Sequence, residues 1–111
     1  MTIEEVHNGT TLVMSVEGRL DARSAPSFQE HVLARIEGGQ TAVLVDFSLV
    51  DFISSAGLRA VLVVAKRLRD GDGRFAVCGL RDSVRDVFRV SGFESIIDTY
   101  PDQQTALEKL T

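Results

Sequence analysis

A chain of 111 residues, 44% hydrophobic and 25% charged, fits one globular domain with one core. Its formal charge of −4, with no basic block, argues against nucleic acid or an anionic membrane as the main partner. Its longest apolar runs, Ala42–Val45 and Ala60–Ala65, fall far short of the roughly 20 residues a membrane helix needs. Met1-Thr2-Ile3-Glu4-Glu5 has neither the positive start nor the apolar stretch of a signal peptide. Cys78 is the single cysteine, which excludes an internal disulfide and fits a reducing cytoplasm.

In chain order, Ile3–His7 and Thr11–Gly18 flank Asn8-Gly9, a two-residue hairpin signal in which both positions tolerate positive φ. Leu12, Met14 and Val16 alternate with Val13, Ser15 and Glu17, which suits a strand with one well-buried face. Gly18-Arg19-Leu20-Asp21 breaks that pattern. Ser24 is placed to cap a helix with Pro26 in its first turn. Ala25, Phe28, Val32, Leu33 and Ile36 then follow at helical spacing until Gly38-Gly39. Ala42 to Phe47 reads as a strand covered on both faces. A helix from Gly57 to Arg69 offers Leu58, Val61, Leu62, Ala65 and Leu68 to the core, and Asp70-Gly71-Asp72-Gly73 turns the chain. Phe75–Cys78 is a further strand, and Ser83–Val90 a helix with Val84, Val87 and Phe88 inward, closed by Gly92. Ile96–Tyr100 is the last strand, and Pro101-Asp102 opens a last helix carrying Ala106, Leu107 and Leu110.

The order β-β-α-β-α-β-α-β-α predicts a single α/β domain over residues 1–111. An N-terminal hairpin joins a mixed sheet whose later strands run parallel. Sites in such sheets form at the carboxyl ends of strands, beside helix starts. Ser54 and Ser55 fall at such a place, with the small pair Ala56-Gly57 behind them. A helix N-terminus carries free N–H groups and about half a positive charge. A serine there can cap the helix, act as a nucleophile or accept phosphate. Capping needs only one hydroxyl, and Ala56-Gly57 would let another chain approach closely, so the pair points to contact.

Catalysis within the chain finds no support. Neither serine has the glycine two residues before it that a nucleophile elbow requires, and His7 and His31 lie on other elements. One cysteine and two dispersed histidines give no metal-ligand spacing. Asp46 and Asp51 read as turn or cap residues rather than Mg²⁺ ligands. No phosphate-binding glycine loop is present, so no cofactor is expected, and Cys78 reads as a small buried hydrophobe. The serines are therefore more credible as a substrate than as a catalyst.

The run from Val45 through Asp51-Phe52-Ile53-Ser54-Ser55-Ala56-Gly57-Leu58-Arg59, with Glu17-Gly18-Arg19-Leu20-Asp21 upstream, resembles the anti-sigma factor antagonists of the STAS superfamily. The resemblance spans essentially the whole chain, including Phe88-Gly92-Phe93. It implies a mixed sheet packed with helices and a phosphorylated serine at the second helix start. Matching the Gly57-Leu58 pair places the phosphoacceptor on Ser55, with Ser54 the fallback. The family's aspartate falls on Ser54, and the residue after the acceptor is Ala56, which departs from the usual pattern.

The resemblance further implies a partner: an anti-sigma factor that doubles as a serine kinase with a histidine-kinase-like ATPase domain. The unphosphorylated antagonist binds it and frees a sigma factor, phosphorylation dissolves the complex, and a PP2C-type phosphatase restores binding. Asp21, Ser54, Ala56, Gly57 and Leu58 are the expected partner-binding residues. The competing readings are a STAS module of a transport or stressosome-like complex, and a STAS sensor that binds a small molecule.

Overall fold

The computed structural model describes residues 1–110. Strands β1 (Thr2–Asn8) and β2 (Thr11–Leu20) form the hairpin; α1 (Ala25–Glu37), β3 (Ala42–Ile53), α2 (Ser55–Asp70) and β4 (Arg74–Cys78) follow. The chain continues through α3 (Asp82–Val90), a 3₁₀ turn at Phe93–Ser95, β5 (Asp98–Tyr100) and α4 (Gln103–Leu110). The strands lie in the order β1-β2-β3-β4-β5, with the first pair antiparallel and the others parallel. This is the α/β architecture expected from the alternation of apolar patterns.

The hairpin turn sits one residue later than expected. Asn8 pairs with Thr11, so the loop is Gly9-Thr10, and of these only Gly9 has positive φ, at 60°. That is what a type II′ turn asks of its first central residue.

Helices cover both sheet faces. Leu12, Met14, Val16, Val43, Val45, Phe47 and Val77 meet Phe28, Val32, Val61, Val64, Leu68, Val84 and Phe88 in the main core. On the other face Val13, Leu44, Ala76 and Cys78 pack with Ala106 and Leu110 of α4. The Ala42–Val45 run is apolar throughout because both its faces are covered. Val13 is buried in the same second cluster, so β2 too has a second covered face. In α2 the buried residues are Gly57, Leu58, Ala60, Val61, Val64, Ala65 and Leu68, and Leu62 is only half-buried.

β3 extends well past Phe47, where the apolar run suggested its end. β4 leaves it at the Asp46–Cys78 pair, while β2 accompanies it to the Leu20–Ile53 pair. β2 itself runs on through Gly18 to Leu20 instead of breaking there. Between the Ser15–Asp46 and Glu17–Leu49 pairs β3 advances one residue more than β2, and again between Gly18–Val50 and Arg19–Phe52. Such bulges bend a strand and re-aim its side chains. After each, two consecutive residues face solvent: Ser48-Leu49, then Asp51-Phe52, with Val50 and Ile53 buried.

Candidate functional site at the start of the second helix

The handover from β3 to α2 is fixed by the end of β2. Ser54 N–H donates to the Leu20 carbonyl at 3.0 Å. The same carbonyl oxygen occupies the place a Cβ on Gly57 would need, with Ile53 Cγ1 only 2.9 Å from it. The first turn of α2 therefore seats directly on Leu20. The chain that approaches Gly57 closely is this protein's own β2, not the partner that the Ala56-Gly57 pair suggested.

The two serines have separate environments. Ser54 is extended, at φ −94° and ψ 175°, and its Oγ accepts from Gly57 N–H at 3.2 Å, which makes it the N-cap of α2. Ser55 is the first residue of the helix and is exposed. Its hydroxyl has no hydrogen-bond partner among the described residues. Ala56 is half-buried, Gly57 is buried and Leu58 is 6% exposed. Of the expected contact residues at this turn, Ser54 and Ala56 are half-buried and Gly57 and Leu58 face the core, while the expected acceptor Ser55 is exposed.

Asp21 lies one peptide beyond Leu20 and organises the connection from β2 to α1. Its Oδ1 accepts from Arg23 N–H at 3.0 Å and Ser24 N–H at 3.3 Å. The Arg23 N–H, with Ser24 and the charge of Arg19, holds the Asp21 carboxyl below its ordinary range. Ser24 stands at the α1 N-cap position but makes no side-chain cap. Its Oγ instead donates to the Arg19 carbonyl at 2.7 Å and accepts from Asp21 N–H at 3.0 Å. The local bonds of this turn outcompete the cap expected of it.

Sequence reasoning missed the residues that the β3 bulges turn outward. Leu49 is 51% and Phe52 39% exposed. The Arg19 guanidinium lies 4.1 Å from the centre of the Phe52 ring, and Arg19 Nε is 3.6 Å from Asp21 Oδ2. Arg81 Nε donates to the Ser48 carbonyl at 2.9 Å, across the gap left where β4 ends. The available signal was Leu49-Val50 and Phe52-Ile53, two apolar pairs around Asp51 that break strict alternation.

No group of three or more potential metal ligands occurs among the described residues. Asp46 accepts from Ser48 N–H at 2.8 Å and from Gln103 Nε2 at 2.7 Å, a turn-closing role. His31 Nε2 meets Glu5 Oε1 at 2.7 Å. Burial, with the charges of Asp46 and Asp102 adding to it, pushes the Cys78 thiol up to about 12, far from a reactive thiolate. No helix among the described residues is long and apolar enough to cross a membrane.

The STAS domain sequence model matches residues 2–106. A protein of Bordetella bronchiseptica named as an anti-sigma factor antagonist, BtrV, is 37% identical over 95 residues, covering 86% of this chain and 82% of that one. The chain belongs to the STAS domain family. Solved structures agree on the fold of this STAS domain. A Thermotoga maritima structure described as an anti-sigma factor antagonist aligns with a TM-score of 0.94 at 18% identity, over 97% of this chain and 93% of that chain. The anti-sigma factor antagonist SpoIIAA in its unphosphorylated form aligns with a TM-score of 0.83 at 22% identity, over 97% and 95%. Its phosphorylated form aligns with a TM-score of 0.76 at 20% identity, over 99% and 100%.

Proposed function

We propose that this STAS domain is an anti-sigma factor antagonist whose binding is switched by phosphorylation of Ser55. One observation carries the reading: of two adjacent serines, Ser54 is committed to the cap while Ser55 offers an exposed, unbonded hydroxyl. The domain is the substrate and supplies no catalyst. A partner kinase with a histidine-kinase-like ATPase domain transfers the γ-phosphoryl group of ATP to Ser55 Oγ, whose proton leaves as ADP forms. That kinase is also the anti-sigma factor, and a PP2C-type phosphatase hydrolyses the phosphoserine to restore the binding form. The exchange takes place in the cytoplasm.

The unmodified surface suits a protein partner. Ser55 and Ala56 follow the cap residue Ser54, whose N–H bonds Leu20 next to the turn held by Asp21, and the Phe52 ring under Arg19 stands three residues before Ser55. Aromatic and arginine side chains of this kind anchor interfaces. Phosphate adds about −1.5 to −2 charge. The helix N-terminus offsets this by roughly 0.3–2 kcal/mol within the free domain. An interface closed over Ser55 would instead bury the charge at a cost of several kcal/mol, and each 1.4 kcal/mol is about tenfold in affinity. The existence of both forms of SpoIIAA on one fold supports a switch that spoils a complex without refolding the domain.

Intact-mass analysis and phosphopeptide mapping after incubation with the cognate kinase and ATP test the proposal. One phosphate on Ser55 is the expected result. Stoichiometric labelling of the Ser55→Ala protein would reject the assignment and move it to Ser54.

A further inference from the structure

Arg59 stands one helical turn after Ser55, is exposed, and has no hydrogen bond or ion pair among the described residues. Residues four apart on a helix are neighbours, and long helical side chains lean toward the N-terminus, over the turn that precedes them. An arginine at this position can therefore reach back to the surface occupied by Ser55. No acid competes from within the helix: the first turn of α2 has none, and the residues three and four positions from Arg59 are Ser55, Ala56, Leu62 and Val63. Across the groove between α1 and α2, Glu30 lines the same depression, yet no ion pair joins it to Arg59.

We propose that Arg59 is the internal counter-ion of phosphorylated Ser55, holding the phosphate against α2 through charge-assisted hydrogen bonds. The inference rests on Ser55 being the acceptor and adds the residue that regulates the modified state. Ser54 Oγ already engages the Gly57 N–H, so one of the backbone donors at this turn is taken before any phosphate arrives. Among the other charges on the surrounding segments, Arg19 is committed to Phe52 and Asp21. Asp51 and Glu30 are acids, and Arg23, whose backbone N–H bonds Asp21, stands outside α2 and lacks the four-residue spacing to Ser55. Arg59 is the cation with both the right spacing and free donors. In the unmodified chain the same guanidinium is open to an acidic group on a partner. Phosphorylation thus removes a positive contact from the surface as well as adding negative charge.

The test uses the full chain with phosphoserine installed at position 55 during synthesis, so no kinase is needed. Its ³¹P resonance is titrated against pH in the wild-type background, in Arg59→Ala and in Arg59→Lys. An ion pair of this spacing, strengthened by the phosphate dianion, changes the second acid dissociation constant by about two- to fivefold. The phosphate should be the weaker acid by that factor in Arg59→Ala and intermediate in Arg59→Lys. Coincident titrations of wild type and a folded Arg59→Ala would overturn the proposal. A second measurement needs no variant: the Arg59 Nε–H resonance of the phosphorylated wild type should move with the same midpoint as the phosphate. A resonance that ignores phosphate ionisation also overturns it. Failure of a kinase to modify Ser55 would instead refute the proposed function and leave this result standing.

Discussion

Gly57 and Leu20 meet where the second helix lands on the end of the second strand. The Leu20 carbonyl oxygen fills the volume a Cβ at position 57 would occupy, and it also accepts the Ser54 N–H. One backbone oxygen thus fixes both the depth of the helix and the orientation of its cap, and through them the exposure of Ser55.

Gly57→Ala should therefore destabilise the domain, even though alanine gains roughly 1 kcal/mol of helix propensity over glycine. A methyl group driven against a backbone carbonyl and Ile53 Cγ1 has no flexible neighbour to yield. A net loss of about 1–3 kcal/mol is expected from overpacking. Urea unfolding measures it, and an unchanged midpoint would show that the first turn of α2 can lift off Leu20.

The adjacent serines should separate cleanly on substitution. Ser54→Ala removes the side-chain cap on Gly57 N–H and should cost about 1 kcal/mol of stability. Ser55→Ala changes an exposed, unbonded hydroxyl and should stay within about 0.5 kcal/mol of wild type. Phosphorylation should follow the reverse pattern, surviving in Ser54→Ala and vanishing in Ser55→Ala. Equal stability losses in the two variants would deny the division of roles.

The handover from β3 to α2 was legible in the sequence, but not which side chains it exposes. The unbroken Ala42–Val45 run was readable as a strand covered on both faces because Leu44 meets α4 while Val43 and Val45 meet the main core. The end of the same strand was misplaced because register decides it. Two bulges against β2 expose Leu49 and Phe52, and a bulge is a property of a pair of strands, invisible in either alone. The Ser54-Ser55 pair was legible as a helix start, yet only backbone geometry shows which hydroxyl is consumed. Asp21-x-x-Ser24 carried a readable turn signal, since aspartate and serine side chains bind backbone N–H groups two or three residues on.

That turn gives Asp21 a structural role of its own. Its carboxylate binds the Arg23 and Ser24 N–H groups, and its folded pKa is lowered first by Arg23. A group whose pKa is depressed on folding contributes stability above its unfolded value and loses it as pH falls through the folded one. Asp21→Asn should therefore lower the melting temperature at pH 7 and narrow the gap to wild type in acid. Partner affinity should fall as well, because the loop beside Leu20 loosens. A constant gap between the two proteins from pH 7 down to pH 2 would assign the effect to shape and not to charge.

Glu5 ties the exposed edge strand to α1. Arg35 Nε donates to its Oε1 at 2.7 Å and Oε2 at 3.1 Å, and His31 Nε2 shares Oε1. The Arg35 hydrogen bond, with His31 adding to it, holds the carboxyl below its ordinary 4.5. The sign is the same as for Asp21: the contribution is complete above that value and disappears as acid protonates the folded carboxylate. Glu5→Gln should cost about 0.5–1 kcal/mol at pH 7, the scale of a partly exposed ion pair, and nothing once Glu5 is protonated. Denaturant midpoints of both proteins across pH 2 to 7 check this, and parallel curves would exclude an ionic contribution from Glu5.

Ser55→Asp separates charge from fold. A carboxylate in the first turn of a helix is stabilising or neutral, so the variant should keep native circular dichroism and its unfolding midpoint. Its affinity for the kinase partner should nonetheless drop, by less than true phosphoserine produces, because phosphate carries more charge and more acceptor oxygens. Ser55→Ala should bind as wild type and resist release by ATP, since the contact surface survives without its acceptor. Calorimetric titration against the partner compares the three proteins directly. Wild-type affinity in a folded Ser55→Asp would show that local charge is insufficient, and the switch would then need the tetrahedral phosphate and the donors around it.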